Sequence, residues 1–208
     1  MAADQIEAAI VNCELAPGAV IVEAELSEWL GLGRTPVREA LVSLANANLL
    51  RLGRGGVVIP ELNAMTMLKL LELREPIERL CIQKAVNRQT EEDHEAFKKL
   101  HSRLKDIPND DRAGFMAFLW DIHNAVATAS QNEFIDSALR TTQGLSRRYW
   151  GHFADEDDQK HAQAIYLSLL DAILAKDAED AVGQSGRLTG YLRDLTLTSM
   201  KKLADPDK

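Results

Sequence analysis

Apolar positions recur with a helical period along most of this chain, and the exceptions cluster near its start. Ile6, Ala9 and Ile10 give an i, i+3, i+4 face, and that helix should end before the turn residues Ala16-Pro17-Gly18. A second helix is expected over about 22–30, with Leu26 and Leu30 facing inward and Gly31 as its stop. The pattern predicts a third helix with Thr35 as N-cap, Pro36 at the first helical position, and a buried stripe of Val37, Ala40, Leu41 and Leu44. Leu49 to Leu52, the glycine-rich Gly53-Arg54-Gly55-Gly56, and Val57-Val58-Ile59 then read as a β-hairpin.

Two helices joined by a short glycine-containing turn form a helix-turn-helix, and a following hairpin makes it a winged one. Beyond the seam at Pro60-Glu61-Leu62-Asn63 nearly everything is helical, over about 64–88, 91–105, 110–130, 133–153, 157–175 and 178–203. Pro76 is expected to kink or split the first of these. The fold class is therefore mainly α. A winged helix-turn-helix domain over 1–62 precedes an all-α helical bundle over 63–208.

Composition narrows the function. The 208 residues carry 24 Lys+Arg against 32 Asp+Glu, a formal net charge of −8, which argues against a globally basic coat protein or a peripheral membrane protein. The apolar stretch from Ala164 to Leu174 is interrupted by Ser168 and Asp171 and is too short to span a bilayer, so no membrane partner is expected. Cys13 and Cys81 stand alone in their segments, and Met1-Ala2-Ala3-Asp4 lacks the features of a signal peptide. A reducing, cytoplasmic compartment is expected.

The local charge pattern singles out one surface. Between Arg34 and Arg54 the chain has four arginines and one acid, Glu39, whereas residues 1–33 have six acids and no Lys or Arg. Arg34, Thr35 and Arg38 cluster at the start of the third helix, the end that recognition helices present to base edges and phosphates. Arginine grips guanine bidentately, and threonine contacts a phosphate or a base edge. Arg54 stands among glycines at the hairpin tip, where the backbone could approach a duplex closely. Ordinary surface arginines on a small helical domain are the alternative.

The residues that carry a specific resemblance are Leu15-Ala16-Pro17-Gly18 and the run from Glu25 to Leu41, above all Arg34-Thr35-Pro36-Val37-Arg38-Glu39-Ala40-Leu41. This run closely resembles the N-terminal domain of GntR-family bacterial transcription regulators, and Arg54-Gly55 resembles the family's wing tip. The resemblance implies that Arg34, Thr35, Arg38 and Gly55 contact DNA. Two departures stand out: Gly33 replaces the usual serine, and Cys13 sits where a glycine is common. Leu73-Arg74-Glu75-Pro76-Ile77-Glu78, the segment ending Ala129-Ser130-Gln131-Asn132, and Asp171 to Ala181 resemble, more loosely, the FCD effector-binding domain of the FadR subfamily. That implies a bundle holding a small ligand, and a homodimer reading an inverted-repeat operator in double-stranded DNA.

Many members of the subfamily hold a divalent metal through one Asp and three His. Carried over position by position, those ligands fall at Leu119, His123, Tyr166 and about Leu188, so His123 is the one retained ligand. Asp121 lies about 200° from His123 around a helix, and His161 about 140° from Tyr166, so neither is placed to substitute. No metal and no other cofactor is expected. An effector pocket would then be lined by Arg74, Leu119, His123, Tyr166 and Leu188.

Each of these residues also has a simpler reading. His123 flanks the apolar stripe of Phe115, Phe118, Leu119, Ile122 and Val126, and could be a core histidine hydrogen-bonded to Tyr166. Arg74 could clamp a ligand carboxylate, or pair with Glu78 one turn later. Arg140, Arg147 and Arg148 are further candidates for an anion clamp. Trp120, Tyr149 and Trp150 read as packing residues, and His94, His101 and His152 as solvated.

The sequence thus reads as a ligand-responsive transcription regulator and not an enzyme, its effector a carboxylate or related metabolite. A metal-sensing or a ligand-independent regulator of the same fold is the alternative. A small hydrolase is a remote one, since no GxSxG, P-loop, HExxH or paired-carboxylate constellation is present.

Overall fold

Ile6, Ala9 and Ile10 form the buried face of α1 (Ala2–Val11) in the computed structural model, which describes residues 2–204. The helix ends with Cys13 in the left-handed region at φ 59°. β1 (Val20–Ile21) follows, then α2 (Glu23–Leu30), which Gly31 closes at φ 63° with its amide donating to the Glu28 carbonyl.

α3 (Arg34–Asn46) begins two residues earlier than the sequence suggested. Gly33, extended at φ −65° and ψ 161°, is the N-cap, and its carbonyl accepts from Val37 N–H at 3.4 Å. Thr35 is therefore the second helical residue and not the cap. Pro36 is the third, still within the first turn where a missing N–H breaks no helical bond. Val37, Ala40, Leu41 and Leu44 are buried as expected.

β2 (Arg51–Gly53) and β3 (Gly56–Val58) form the hairpin, and β1 adds to it in the order β1-β3-β2, all antiparallel. The two-residue β1 has no alternation to betray it. Its pairing of Ile21 with Val57 ties the hairpin to the start of α2. Ile6, Ile10, Leu26, Leu41, Leu49 and Ile59 lie at the centre of the core beneath.

The remaining helices are α4 (Ala64–Arg88), α5 (Glu91–Asp106), α6 (Arg112–Ala129), α7 (Glu133–Phe153), α8 (Glu156–Leu174) and α9 (Ala178–Ala204). Pro76 does not split α4. The carbonyl it leaves unbonded belongs to Glu72, and both residues are exposed, so the lost bond falls on the solvent side. Thr90 and Asp155 cap α5 and α8, each in a reciprocal box with the acid three residues on.

The chain forms two compact units. Among the described residues the first comprises 2–63 together with Arg140–His152 of α7, and the second comprises Ala64–Leu139 and 153–204. A division at 62/63 alone overlooks that α7 contributes to both. Leu145 packs against the first unit's core, and Gly144 lies against Leu49, where an added Cβ would stand 3.2 Å from the leucine side chain. Within the second unit α4 packs against α6 and α9, and α8 against α5 and α9.

Candidate nucleic-acid interface and effector site

In the first unit the buried stripe of α3 fixes which residues face outward. Arg34, Thr35 and Arg38 are exposed, as are Arg51, Arg54 and Gly55 on the hairpin. None of these four arginines forms an ion pair among the described residues. Gly33 supplies no capping side chain, so the first-turn amides of Arg34 and Thr35 have no side-chain acceptor from the cap. An open helix N-terminus beside uncompensated guanidiniums suits an anion, and the spacing along one helix and one hairpin suits a phosphate backbone.

The hairpin tip is the two-residue link Arg54-Gly55 between the paired Gly53 and Gly56. A side chain on Gly55 would meet nothing within 4 Å. On Gly56, at φ 136°, a Cβ would stand 2.5 Å from the Ile21 carbonyl oxygen. Gly56 is thus the glycine the wing needs structurally, a role that only the β1 pairing reveals.

In the second unit a polar cluster is buried among aromatic rings. His123 Nε2 and the Tyr166 hydroxyl are 3.1 Å apart. Phe118 meets Tyr166 edge-on at 5.6 Å, and Phe115 does so at 6.3 Å. Arg74 donates through Nε at 2.9 Å and Nη2 at 2.7 Å to a single Glu78 oxygen, both residues being buried. Burial works against the Arg74 charge, but Glu78 and the nearby Tyr166 outweigh it and hold the guanidinium above its ordinary range. The Thr189 hydroxyl lies 3.5 Å from the other Glu78 oxygen while donating to the Ser185 carbonyl at 3.1 Å.

Of the pocket residues read from sequence, Arg74, His123 and Tyr166 converge, and Leu119 is buried one turn before His123. Leu188 is half-buried, and its neighbour Thr189 is the α9 residue that reaches Glu78. Thr189 carried no sequence signal because the α9 register could be placed only approximately.

Several other readings change. Arg147 and Arg148 belong to the first unit: Arg147 pairs with Glu7 at 3.2 Å, and Arg148 donates to the Pro60 carbonyl at 2.7 Å. Neither serves as a clamp within the bundle. His101 is not solvated, since it faces Asp171 at 3.0 Å, and His94 Nδ1 lies 3.0 Å from Gln89 Oε1. Asp121 pairs with Arg103 away from His123, and His161 is exposed against the Tyr191 ring. Among the described residues no three His, Cys, Asp or Glu side chains are grouped to hold a metal ion.

Comparison with known proteins settles the family. Residues 69–188 match the FCD domain, and residues 1–59 match the bacterial regulatory proteins of the gntR family. The chain belongs to the GntR family. It is a GntR/FadR-type transcription regulator with an FCD effector-binding domain.

The fatty acid metabolism regulator protein of Pasteurella multocida is 27% identical over 217 residues, 92% of this chain and 88% of the relative. The Nta operon transcriptional regulator of Aminobacter aminovorans is 29% identical over 175 residues, 82% of this chain and 80% of that one. Among solved structures, Escherichia coli McbR/YncC superposes with a TM-score of 0.80 over 96% of both chains at 19% identity, a likeness of fold. In this GntR regulator α3 and the hairpin lie within the residues matched to the gntR family, and α4 to α9 carry those matched to the FCD domain.

Proposed function

We propose that this GntR/FadR-type regulator works in the cytoplasm as a homodimer that reads an inverted-repeat operator and responds to a small effector held in its FCD domain without a metal. The observation that carries the DNA reading is the set of exposed, unpaired arginines Arg34, Arg38, Arg51 and Arg54 on α3 and the hairpin of an otherwise acidic chain. Arg38 reads a base edge, Arg34 and Thr35 hold phosphates, and Arg54 with Gly55 follows the groove beside them. Two-fold symmetry of the protein mirrors that of the operator.

A second copy is the partner that best suits α4. Leu73 and Leu80 lie seven residues apart on one face and remain 53% and 42% exposed. No helix among the described residues is long and apolar enough to cross a membrane. The family and its named relatives are regulators, and no catalytic role is proposed.

The effector is a carboxylate or related metabolite. It would bind beside His123 and Tyr166 and compete with Glu78 for Arg74. The metal-free reading is supported by Leu119 and Tyr166 standing where the subfamily has ligands, and by the engagement of His123 with Tyr166.

Operator binding by Arg38→Ala tests the first part. A loss on the order of 1–3 kcal/mol, with relaxed specificity at one base position, is the expected result. Unchanged affinity removes Arg38 from the interface. Elemental analysis, with zinc and nickel add-back followed by thermal unfolding, tests the second part. Near-zero metal and no thermal shift are expected, whereas about one metal per chain, lost in His123→Ala, would make this a metal-dependent regulator.

A further inference from the structure

Glu39 is the one acid in the stretch from Arg34 to Arg54, and no contact among the described residues accounts for it. It is exposed and forms no ion pair among them. Its neighbours one turn away on α3 are Thr35, Pro36, Val42 and Ser43, none of them basic, so no intrahelical pair holds it. As the sixth residue of the helix it also lies beyond the first turn, where an acid would favour the positive end of the helix dipole.

The buried stripe of α3 sets the direction in which Glu39 projects. Successive residues turn by about 100° around a helix, so Thr35, Glu39, Val42 and Asn46 lie about 180° from the mean direction of Val37, Ala40, Leu41 and Leu44. These four are all exposed and form the outermost ridge, with Arg38 on its flank about 100° from Glu39. Thr35, Val42 and Asn46 are shorter than glutamate, so no side chain of the ridge holds a partner away from the carboxylate. A major groove that takes in Arg38 therefore meets Glu39 as well. There the carboxylate is repelled by phosphates and by every acceptor on a base edge, and only a donor compensates it. Guanine and thymine offer acceptors alone, and adenine offers a donor with an acceptor beside it. Cytosine offers its N4 amine and no competing acceptor.

We propose that Glu39 is a specificity-determining residue, its carboxylate accepting a hydrogen bond from the N4 amine of a cytosine in each half of the operator. The proposal rests on α3 being the helix that enters the major groove, and it adds the base that this position selects. Arg38 grips a guanine at one base pair, and Glu39 selects the cytosine of another by rejecting the remaining bases.

The experiment offers the full-length protein a pool of duplexes with about 20 random base pairs, enough for two half-sites one helical turn apart, and sequences the bound fraction. The natural chain should enrich a motif with a G·C pair, preferred at least about fivefold, at a position that Arg38→Ala leaves intact. Glu39→Ala should lose the preference there. Glu39→Gln should exchange it for an A·T pair, because the N6 and N7 of adenine match a glutamine amide. Both Glu39 variants should unfold at the temperature of the natural chain, since the side chain is exposed and unpaired, and this separates lost reading from lost fold. A natural motif with no such G·C pair overturns the proposal. So does an identical motif in both variants, even with tighter binding to every duplex, which would leave Glu39 as a source of general repulsion. No enriched motif at all for the natural chain overturns the reading of α3 itself, and the proposal with it.

Discussion

Tyr166 on α8 places its hydroxyl 3.1 Å from His123 Nε2 on α6, joining two helices through one polar contact within an aromatic wall. The contact is buried on both sides, at 6% exposure for Tyr166 and 8% for His123. Deleting a buried hydrogen-bond partner costs more than the bond's average worth, because the remaining group keeps its desolvation cost. Tyr166→Phe should therefore lower stability by about 1–2 kcal/mol and the unfolding midpoint by a few degrees. Thermal unfolding of the two proteins measures it, and an unchanged midpoint would mean that the phenol matters to the ring packing alone.

Arg74 and Glu78 make a different kind of contact, since both charges are buried and each compensates the other. Arg74→Met strands a carboxylate, and Glu78→Gln strands a guanidinium. Each single variant should lose about 3–5 kcal/mol, and the double variant should lose far less, because no uncompensated charge remains. A double-mutant cycle by chemical denaturation checks this, and additive single losses would contradict the pairing. The same cycle bears on the effector: a carboxylate that displaces Glu78 should bind more tightly to Glu78→Gln than to the natural chain.

Much of this fold is legible in the sequence because long helices with wide apolar faces declare themselves. The expected span of α7 coincides with the observed one, and α9 with its neighbours is placed to within a residue or two. The exposure of Arg34, Arg38, Arg51 and Arg54 is legible because charge is sparse around them. What escapes is whatever depends on distant pairing. β1 has two residues and no pattern, so the demand it makes on Gly56 is invisible. Arg147 and Arg148 look like bundle residues by their position in α7, yet their partners Glu7 and Pro60 are more than eighty residues away in sequence. The cap of α3 is misplaced by two residues because Thr-Pro is so good a start signal that an uncapped glycine is overlooked.

Glu7 gives a pH test with a definite sign. Burial raises its carboxyl above the ordinary value of 4.5, and this outweighs the attraction of Arg147 and Arg140. As pH rises through 4.5 the unfolded chain releases this proton before the folded one does. The folded state then binds more protons, and stability falls until pH has passed the raised folded value. Glu7 therefore favours the fold most in acid. The stability of the natural chain relative to Glu7→Gln should decline as pH is raised from about 4 towards neutrality. Denaturation of both proteins across that window reads the difference, and a widening advantage at higher pH would mean that Arg147 wins and the carboxyl is lowered.

The wing offers a paired prediction on adjacent glycines. A methyl on Gly55 meets nothing within 4 Å, so Gly55→Ala should fold with stability close to the natural protein. A methyl on Gly56 would stand 2.5 Å from a backbone oxygen at φ 136°, a region open in practice to glycine alone. Relief would require the β1–β3 pairing to part. Gly56→Ala should cost about 2 kcal/mol or more, and hydrogen exchange at Val57 and Val58 should quicken selectively. The two variants then divide shape from recognition. Weak operator binding by a normally folded Gly55→Ala protein would mean that the duplex comes close enough to the tip to meet one extra methyl. Unchanged binding would place the DNA farther from the tip and leave Arg54 as the wing's contribution. Measuring operator affinity at two salt concentrations separates a lost phosphate contact, which lowers the log–log slope by about one, from a steric displacement that leaves the slope unchanged.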